Sequence, residues 1–236
     1  MYLASDVLQR IDQQLGLILA FTAIAWITGF VQIFEAIRLG QRDRLPGAPA
    51  GMTIFLLAHD SSFFLRYDYW FHQLGHWYFE LYWFGMGVAV LIELFMFAQL
   101  VRYGRNEIAP WLSPKSFLML LLLYQLATYA LLWWLQGVLD DPLYLISLTA
   151  TQVVAVIFNL PMLLRRGSAR GQSRIYAWAT LLGPGSLALG LFPALSPELF
   201  LHAKYIGACF GLMCLSLFYI VLLERARRRH GRGAST

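Results

Sequence analysis

The chain has 236 residues, of which 59% are hydrophobic and 13% charged, with a formal net charge of +5. These fractions lie far from those of soluble domains, and the apolar residues come in runs near the ~20 that cross a bilayer, so the composition excludes a soluble globular protein. The positive charge lies in loops and in the C-terminal tail, where anionic membrane lipids account for it and no nucleic-acid partner is needed.

Seven apolar segments are predicted to cross the membrane. In chain order they comprise residues 16–37, 51–71, 77–101, 117–139, 143–164, 175–195 and 200–223. The connections are short, which leaves one domain over residues 1–236 and requires any site to lie between the helices. The predicted fold class is therefore an all-α membrane protein, built as a bundle of seven transmembrane helices.

The Lys and Arg residues predict the orientation of this bundle. Fifteen of the 18 follow spans one, three, five and seven, and only Arg10, Arg66 and Lys204 fall on the other side. Because such residues accumulate on the cytoplasmic side of membrane proteins, the N-terminus is expected outside and the C-terminus in the cytoplasm. We expect an integral multi-pass protein, located in the cell membrane if the source is prokaryotic.

Eight acidic, basic or histidine side chains lie between residues 57 and 93, within the second and third spans and in the turn that joins them. They are His59, Asp60, Arg66, Asp68, His72, His76, Glu80 and Glu93. At the centre of a membrane helix a charged side chain costs roughly 2.5–3.5 kcal/mol on insertion scales. Groups that costly are usually retained for chemistry, transport or helix assembly, so this cluster is the leading candidate for a functional site.

His59 and Asp60 lie near the middle of span two. An imidazole beside a carboxylate in a low dielectric can act as a general acid or base, so both are candidate catalytic residues. Arg66 gives a structural alternative, in which it pairs with Asp60 or with Asp68 and only stabilises the helix.

Glu93 is expected to face protein and not lipid. It follows Gly85 and Ala89 at every fourth position of span three, and small residues at that spacing let a neighbouring helix approach closely. In span six, the Gly-Pro-Gly-Ser run at residues 183–186 predicts either a break that lines a cavity or a plain kink.

The outer part of the cluster supports two interpretations. Asp68, His72, His76 and Glu80 are spaced by four and would form one stripe on a continuous helix, on which His72, His76 and Glu80 could hold a divalent metal. The stripe also straddles the predicted turn between spans two and three, among Tyr and Trp residues typical of a membrane interface. A solvated interfacial turn is the alternative.

A family resemblance adds a specific hypothesis. Residues 166–173 read Arg-Gly-Ser-Ala-Arg-Gly-Gln-Ser and are followed by Trp178 and Gly183, while Glu93 precedes the sequence Arg-Tyr-Gly-Arg at 102–105. In these motifs, in length and in helix number, the chain resembles the small seven-helix integral-membrane terpene cyclases of fungal and bacterial meroterpenoid and indole-diterpene pathways. The resemblance covers most of the chain. It implies proton-initiated cyclisation of a lipophilic isoprenoid.

Acidic residues in helices two and seven are thought to start the reaction in that family. Here an ungapped comparison places Asp60 at the family's Asn and Phe64 at its Glu, and Ser216 takes the place of the acidic residue in helix seven. The usual acids are thus not retained at these positions. Alternatively, residues 76–80, which read His-Trp-Tyr-Phe-Glu, resemble the family's acidic motif if most of a helix is inserted.

We expect a membrane enzyme of cyclase or isomerase type that acts by general-acid chemistry on a lipophilic, isoprenoid-like substrate without a cofactor. Asp60 is the expected proton donor, His59 its partner and Glu93 either a second acid or an organiser of the pocket. The expected substrate contacts are four aromatic side chains and one hydroxyl, namely Phe64, Tyr124, Tyr129, Trp133 and Ser216.

Two alternatives use the same charges differently. A membrane transporter or binding protein would use them as a proton or solute path. A metal-dependent membrane enzyme would use His72, His76 and Glu80 as ligands. The sequence identifies no protein partner.

Overall fold

A computed structural model describes residues 2–233, with side chains described as far as Arg228. Eleven α-helices follow one another within these residues. They are α1 (Ala4–Gln13), α2 (Leu15–Asp43), α3 (Ala50–Phe64), α4 (Trp77–Ile108), α5 (Pro114–Leu139), α6 (Leu145–Ile157), α7 (Asn159–Arg166), α8 (Arg174–Ser186), α9 (Phe192–Leu195), α10 (Pro197–Phe200) and α11 (Ala203–Gly233). Two π-helical segments, Tyr69–Leu74 and Leu187–Leu191, lie before α4 and after α8.

Six helical stretches of the described chain are long and apolar enough to cross a membrane. They are Leu15–Asp43, Trp77–Ile108, Pro114–Leu139, Leu145–Arg166, Arg174–Leu195 and Ala203–Arg228. The predictions of an all-α fold and of an integral multi-pass membrane protein are confirmed. These six stretches coincide with six of the seven predicted spans.

The second predicted span, residues 51–71, is the one that differs. Helix α3 ends at Phe64, and at 1.5 Å per residue it is about 22 Å long, shorter than the ~30 Å hydrocarbon core. The backbone N–H groups of Leu65 and Arg66 bond back into the last turn of α3. The chain then passes Asp68 into the first π-helical segment, so a single regular helix does not cover this span.

Helix α3 is nevertheless at the centre of the bundle. Ten of its 15 residues are buried, and it packs against α4, α5 and α6. Tertiary packing on several faces explains why a short helix is stable here, since packing supplies most helical stability in proteins. This packing also holds His59 and Asp60 inside the protein.

Helices α2 and α8 form the most extensive helix pair. Gly183 of α8 allows the close approach, because a Cβ there would lie 3.0 Å from Thr28 Oγ1. Pro184 lies inside α8 without ending it, and the chain continues through the second π-helical segment into α9. Proline and π-helical turns are each recognised irregularities within helices. The run at 183–186 thus lies within one helical stretch, Arg174–Leu195.

A polar cluster joins the C-terminal ends of helices α2, α4 and α7. The Arg166 guanidinium donates to both carboxylate oxygens of Glu107, at 3.0 and 2.8 Å, and to the Pro46 carbonyl at 2.7 Å. The Gly171 N–H donates to Asp43 Oδ2 at 2.6 Å. The motif at 166–173 therefore ties three helix ends together.

Helix α1 lies over the opposite end of the bundle. Val7 and Ile11 are buried on its inner face. The Tyr2 hydroxyl donates to Asp141 Oδ1 at 2.6 Å and accepts from the Leu143 N–H at 3.0 Å. Burial and the adjacent Asp141 carboxylate raise the pKa of the Tyr2 phenol. The N-terminal segment is therefore anchored to the loop that precedes α6.

Candidate functional site

A cavity of about 130 Å³ lies between α2, α3, α4, α6 and α8. Its wall is mostly apolar and includes the rings of Trp26, Phe30 and Tyr82. Its polar side chains are Gln32, Asp60, Glu93, Thr151 and Gln152. A largely apolar cavity with a few converging polar groups is the usual form of a small-molecule site.

A glycine makes room for the aromatic wall. A Cβ at Gly85 would lie 2.3 Å from Trp26 Cη2, so the indole fills the space that a side chain at position 85 would occupy. The Trp26 and Tyr82 rings are tilted against each other with centroids 5.2 Å apart. Gly85, Ala89 and Glu93 all line the cavity, which confirms that this face of α4 turns inward.

Asp60 and Glu93 reach the same cavity from two helices. The two residues are 7% and 1% exposed, respectively. Among the described residues that line the cavity, no side chain is cationic, and neither Glu93 oxygen has a hydrogen-bond partner in the described chain. Two ionised carboxylates in one mostly apolar cavity repel each other, so the arrangement favours keeping one of the two groups protonated.

His59 connects Asp60 to a second space. Its Nδ1 lies 2.7 Å from Asp60 Oδ1, and its Nε2 is buried without a hydrogen-bond partner among the described residues. The imidazole also lines an open groove of about 800 Å³ beside α5, together with Arg66, Tyr129 and Tyr144. One imidazole therefore stands between the buried Asp60 and this groove.

Two of the five predicted substrate contacts lie along the groove. Tyr129 and Trp133 both line it, and the Tyr129 hydroxyl lies 2.6 Å from Ser61 Oγ. The Trp133 side chain is 83% exposed and so points to the outer surface of the bundle. Neither residue reaches the cavity that holds Asp60.

The other three predicted contacts lie apart from both spaces. Phe64 stacks on Trp83 with ring centroids 4.4 Å apart. Ser216 is buried in a small crevice between α6, α8 and α11. Tyr124 is exposed on α5. Substrate contact by these side chains stays a prediction.

The Arg66 guanidinium contacts aromatic rings and not the carboxylates of Asp60 or Asp68. Its guanidinium lies 4.2 Å from the centre of the Tyr69 ring, a cation–π contact. Asp68 accepts a hydrogen bond from Gln73, and Asp60 keeps His59 as its partner. The structural alternative in which Arg66 pairs with Asp60 or Asp68 is therefore wrong.

The outer stripe does not form one continuous helix. Gly75 adopts a left-handed conformation, with φ of +57°, and ends the π-helical segment before α4 begins. His76 caps α4, because its Nδ1 accepts the Tyr78 N–H at 3.3 Å. The break separates His72 from Glu80. Within the residues that the structure describes, no group of three His, Cys, Asp or Glu side chains could hold a metal ion.

Sequence reasoning missed Trp26, Tyr82 and Gln32 as cavity residues. Gln32 Nε2 donates to Thr180 Oγ1 at 2.8 Å and so links α2 to α8. The spacing of Gly85 and Glu93 indicates that a large group from a neighbouring helix fills the gap. That spacing does not identify the group, because 16% of the chain is aromatic.

Comparisons with known protein families, with curated proteins and with solved structures found no match. What is established is a multi-helical membrane protein whose described residues include six long apolar helices. Its central cavity holds two buried acids.

Proposed function

We propose that this protein is a membrane isomerase of cyclase type that rearranges a lipophilic, isoprenoid-like molecule by general-acid chemistry. The observation that carries the proposal is the presence of Asp60 and Glu93 in one aromatic-lined cavity. Proton transfer to an alkene or an epoxide produces a carbocation. The faces of Trp26 and Tyr82 would stabilise that cation by cation–π attraction.

Each polar group has a defined part in this scheme. Asp60 donates its carboxyl proton to the substrate, and Glu93 keeps that proton in the cavity before the reaction. The final cation loses a proton to the Asp60 carboxylate, so substrate and product have the same mass. His59 holds the Asp60 side chain through the 2.7 Å contact and exchanges protons between Asp60 and the groove.

The size of the cavity limits what it holds. An engineered cavity of about 150 Å³ holds one benzene molecule, and the present cavity is about 130 Å³. It therefore has room for the reacting end of an isoprenoid but not for a long chain. We expect the remainder of the substrate to extend between the helices toward the bilayer.

The topology that we propose has seven crossings. Helix α3 starts just after α2 ends, and the segment after α3 reaches the bundle end covered by α1, where His76 Nε2 lies 3.5 Å from Asp12 Oδ1. Helix α3 and that segment together thus traverse the bundle. With the predicted outside N-terminus and cytoplasmic C-terminus, this topology agrees with the resemblance to seven-helix terpene cyclases.

A second candidate function is proton-coupled transport. The contact between His59 and Asp60 supports it, because the two side chains join the groove to the cavity. A carboxylate and an imidazole in sequence form the kind of relay found in membrane pumps and transporters. In this case the solute would cross the membrane without chemical change.

The experiment that tests the proposal uses purified protein in lipid nanodiscs. Linear isoprenoid alkenes, alcohols and terminal epoxides are supplied as a panel, and chromatography with mass spectrometry searches for a product of unchanged mass. With an alkene substrate, the reaction in D2O should add one deuteron to the product. Asp60→Asn should abolish conversion, whereas the matched variant Asp68→Asn changes an exposed acid outside the cavity.

The outcomes separate the two candidate functions. Conversion that is lost in Asp60→Asn and kept in Asp68→Asn supports the isomerase. Full conversion by Asp60→Asn would rule out Asp60 as the proton donor. Proton flux into proteoliposomes together with unchanged solute would favour transport.

A further inference from the structure

We propose that a pocket at the end of the bundle carrying residues 166–173 binds a phosphate-bearing anion. The pocket, here called the basic pocket, is open and has a volume of about 610 Å³. Its wall comes from the last turns of α2, the loop before α8, the start of α8 and one residue of α11. None of its described lining residues lines the central cavity, so the inference is independent of the proposed isomerase.

Positive charge predominates in the basic pocket. Five arginines line it, whereas Glu35 and Asp43 are its acidic side chains among the described residues. Three of the arginines form two-pronged ion pairs with one carboxylate each, namely Arg38 with Glu35, Arg42 with Asp43 and Arg174 with Glu224. Within each of these three pairs, the positive and the negative charge neutralise each other.

Arg170 and Arg227 supply the surplus charge. Arg170 donates to the backbone carbonyl of Asp43 at 3.1 Å, which leaves its charge without a carboxylate partner among the described residues. Arg227 lines the same pocket, and Glu224, three residues earlier on α11, is already bound in a two-pronged pair by Arg174. Two guanidinium groups can therefore bind an anion in the pocket without breaking an existing pair.

Gln172 is the second, independent indication of a ligand. This residue lines the basic pocket and is only 2% exposed. Neither its amide nitrogen nor its amide oxygen has a hydrogen-bond partner in the part of the chain that the structure describes. Buried side-chain amides are normally paired. An anion in the pocket would accept a hydrogen bond from the amide nitrogen.

The ligand chemistry that fits is a phosphate. A planar guanidinium group matches the oxygens of phosphate in a two-pronged arrangement, and the N-terminus of the 13-residue helix α8, capped by Ser173, adds a favourable dipole. The pocket lies where long apolar helices end, and basic pockets at such levels bind anionic lipid headgroups. A soluble phosphate or diphosphate offers the same oxygens.

The test uses the full chain purified in detergent and in nanodiscs. The lipid arm compares nanodiscs of phosphatidylcholine with nanodiscs that contain phosphatidylglycerol, and native mass spectrometry counts retained lipid. The soluble arm titrates inorganic pyrophosphate into lipid-free protein in detergent, followed by calorimetry. The variants are Arg170→Gln, Arg227→Gln and Gln172→Leu. Arg225→Gln is the matched control, because it removes the same charge from α11 outside the pocket.

Saturable binding in either arm supports the inference if two conditions hold. Each pocket variant should weaken the binding about tenfold. The control Arg225→Gln should weaken it clearly less than the pocket variants do. Binding in the lipid arm alone identifies the headgroup as the ligand, and binding in the soluble arm identifies a free phosphate. Absence of saturable binding in both arms, or equal loss in Arg225→Gln, would overturn the proposal. Because Arg170 and Arg227 are exposed, their variants should fold even if Gln172→Leu does not.

Discussion

His59 Nδ1 lies 2.7 Å from Asp60 Oδ1, although these consecutive residues of α3 face two different spaces. Asp60 lines the cavity, and His59 lines the groove. The hydrogen bond between them therefore joins a residue of the cavity to a residue of the groove. In the proposed enzyme the final cation returns a proton to Asp60, and the His59 contact holds the Asp60 side chain and exchanges its proton with the groove.

Replacing His59 with Phe should slow turnover without abolishing it. The variant keeps a ring of similar size but removes both nitrogens, and general acid or base assistance contributes about 10²–10⁴-fold to rates. We expect turnover about 10²-fold below wild type and above that of Asp60→Asn. Ser62→Ala is the control, because Ser62 lies on the same helix and lines the same groove. Equal loss in both variants would contradict the relay.

Replacing Gly85 with Ala should destabilise the protein and distort the cavity. The added methyl would lie 2.3 Å from Trp26 Cη2, and overpacking of this kind costs about 1–3 kcal/mol. Thermal unfolding in detergent measures the change. Gly211→Ala is the matched control, because a Cβ there would meet no atom within 4 Å apart from the neighbouring backbone of its own helix. The combination with Trp26→Phe should recover part of the loss, and a loss that persists would argue against this contact.

Replacing Arg166 with Gln should reduce the free energy of unfolding by about 3–5 kcal/mol, because it leaves a largely buried carboxylate without its main partner. The Arg166 side chain is 4% exposed and that of Glu107 is 11% exposed. Arg165 contacts the same carboxylate, but its side chain is 48% exposed. Arg165→Gln should therefore cost less than about 1 kcal/mol. Denaturant titration that finds equal losses would contradict the role of the motif as a tie between helix ends.

Replacing Tyr2 with Phe should cost about 1–3 kcal/mol, because the variant leaves the buried Asp141 carboxylate one donor short. Burial and Asp141 raise the pKa of the Tyr2 phenol above its usual value. A raised pKa in the folded state means that the stabilisation is complete below pH ~10 and is lost only at higher pH. The difference in unfolding free energy between wild type and Tyr2→Phe should thus stay constant from pH 6 to 9. A steep change in that interval would show that another group controls the contact.

The long apolar helices were predictable from the sequence because length and hydropathy alone specify them. Helix α5 occupies Pro114–Leu139, where the sequence predicts a span over 117–139. Helix α3 differs because its polar groups and the turn at Leu65 shorten it, and hydropathy does not indicate where a buried short helix stops. The inward face of Glu93 was also predictable, since the spacing from Gly85 is a local property of one helix.

The composition of the cavity could not be predicted in the same way. Whether Asp60 and Glu93 meet depends on the packing of α3 against α4, and one sequence does not specify that packing. Trp26 was missed because its position in the site depends on the contact between α2 and α4. Tyr129 lines the groove and Ser216 lines the small crevice, so neither side chain lines the cavity.

The central claim is that Asp60 and Glu93 hold a proton inside the cavity, and infrared spectroscopy tests it without knowledge of the substrate. A protonated carboxyl group gives a carbonyl stretch that is separate from carboxylate bands and shifts in D2O. Wild-type protein in nanodiscs at neutral pH should show this band, and Asp68→Asn should keep it. Asp60→Asn combined with Glu93→Gln should lose it. A wild-type spectrum without the band, or a band that survives the double substitution, would contradict the account.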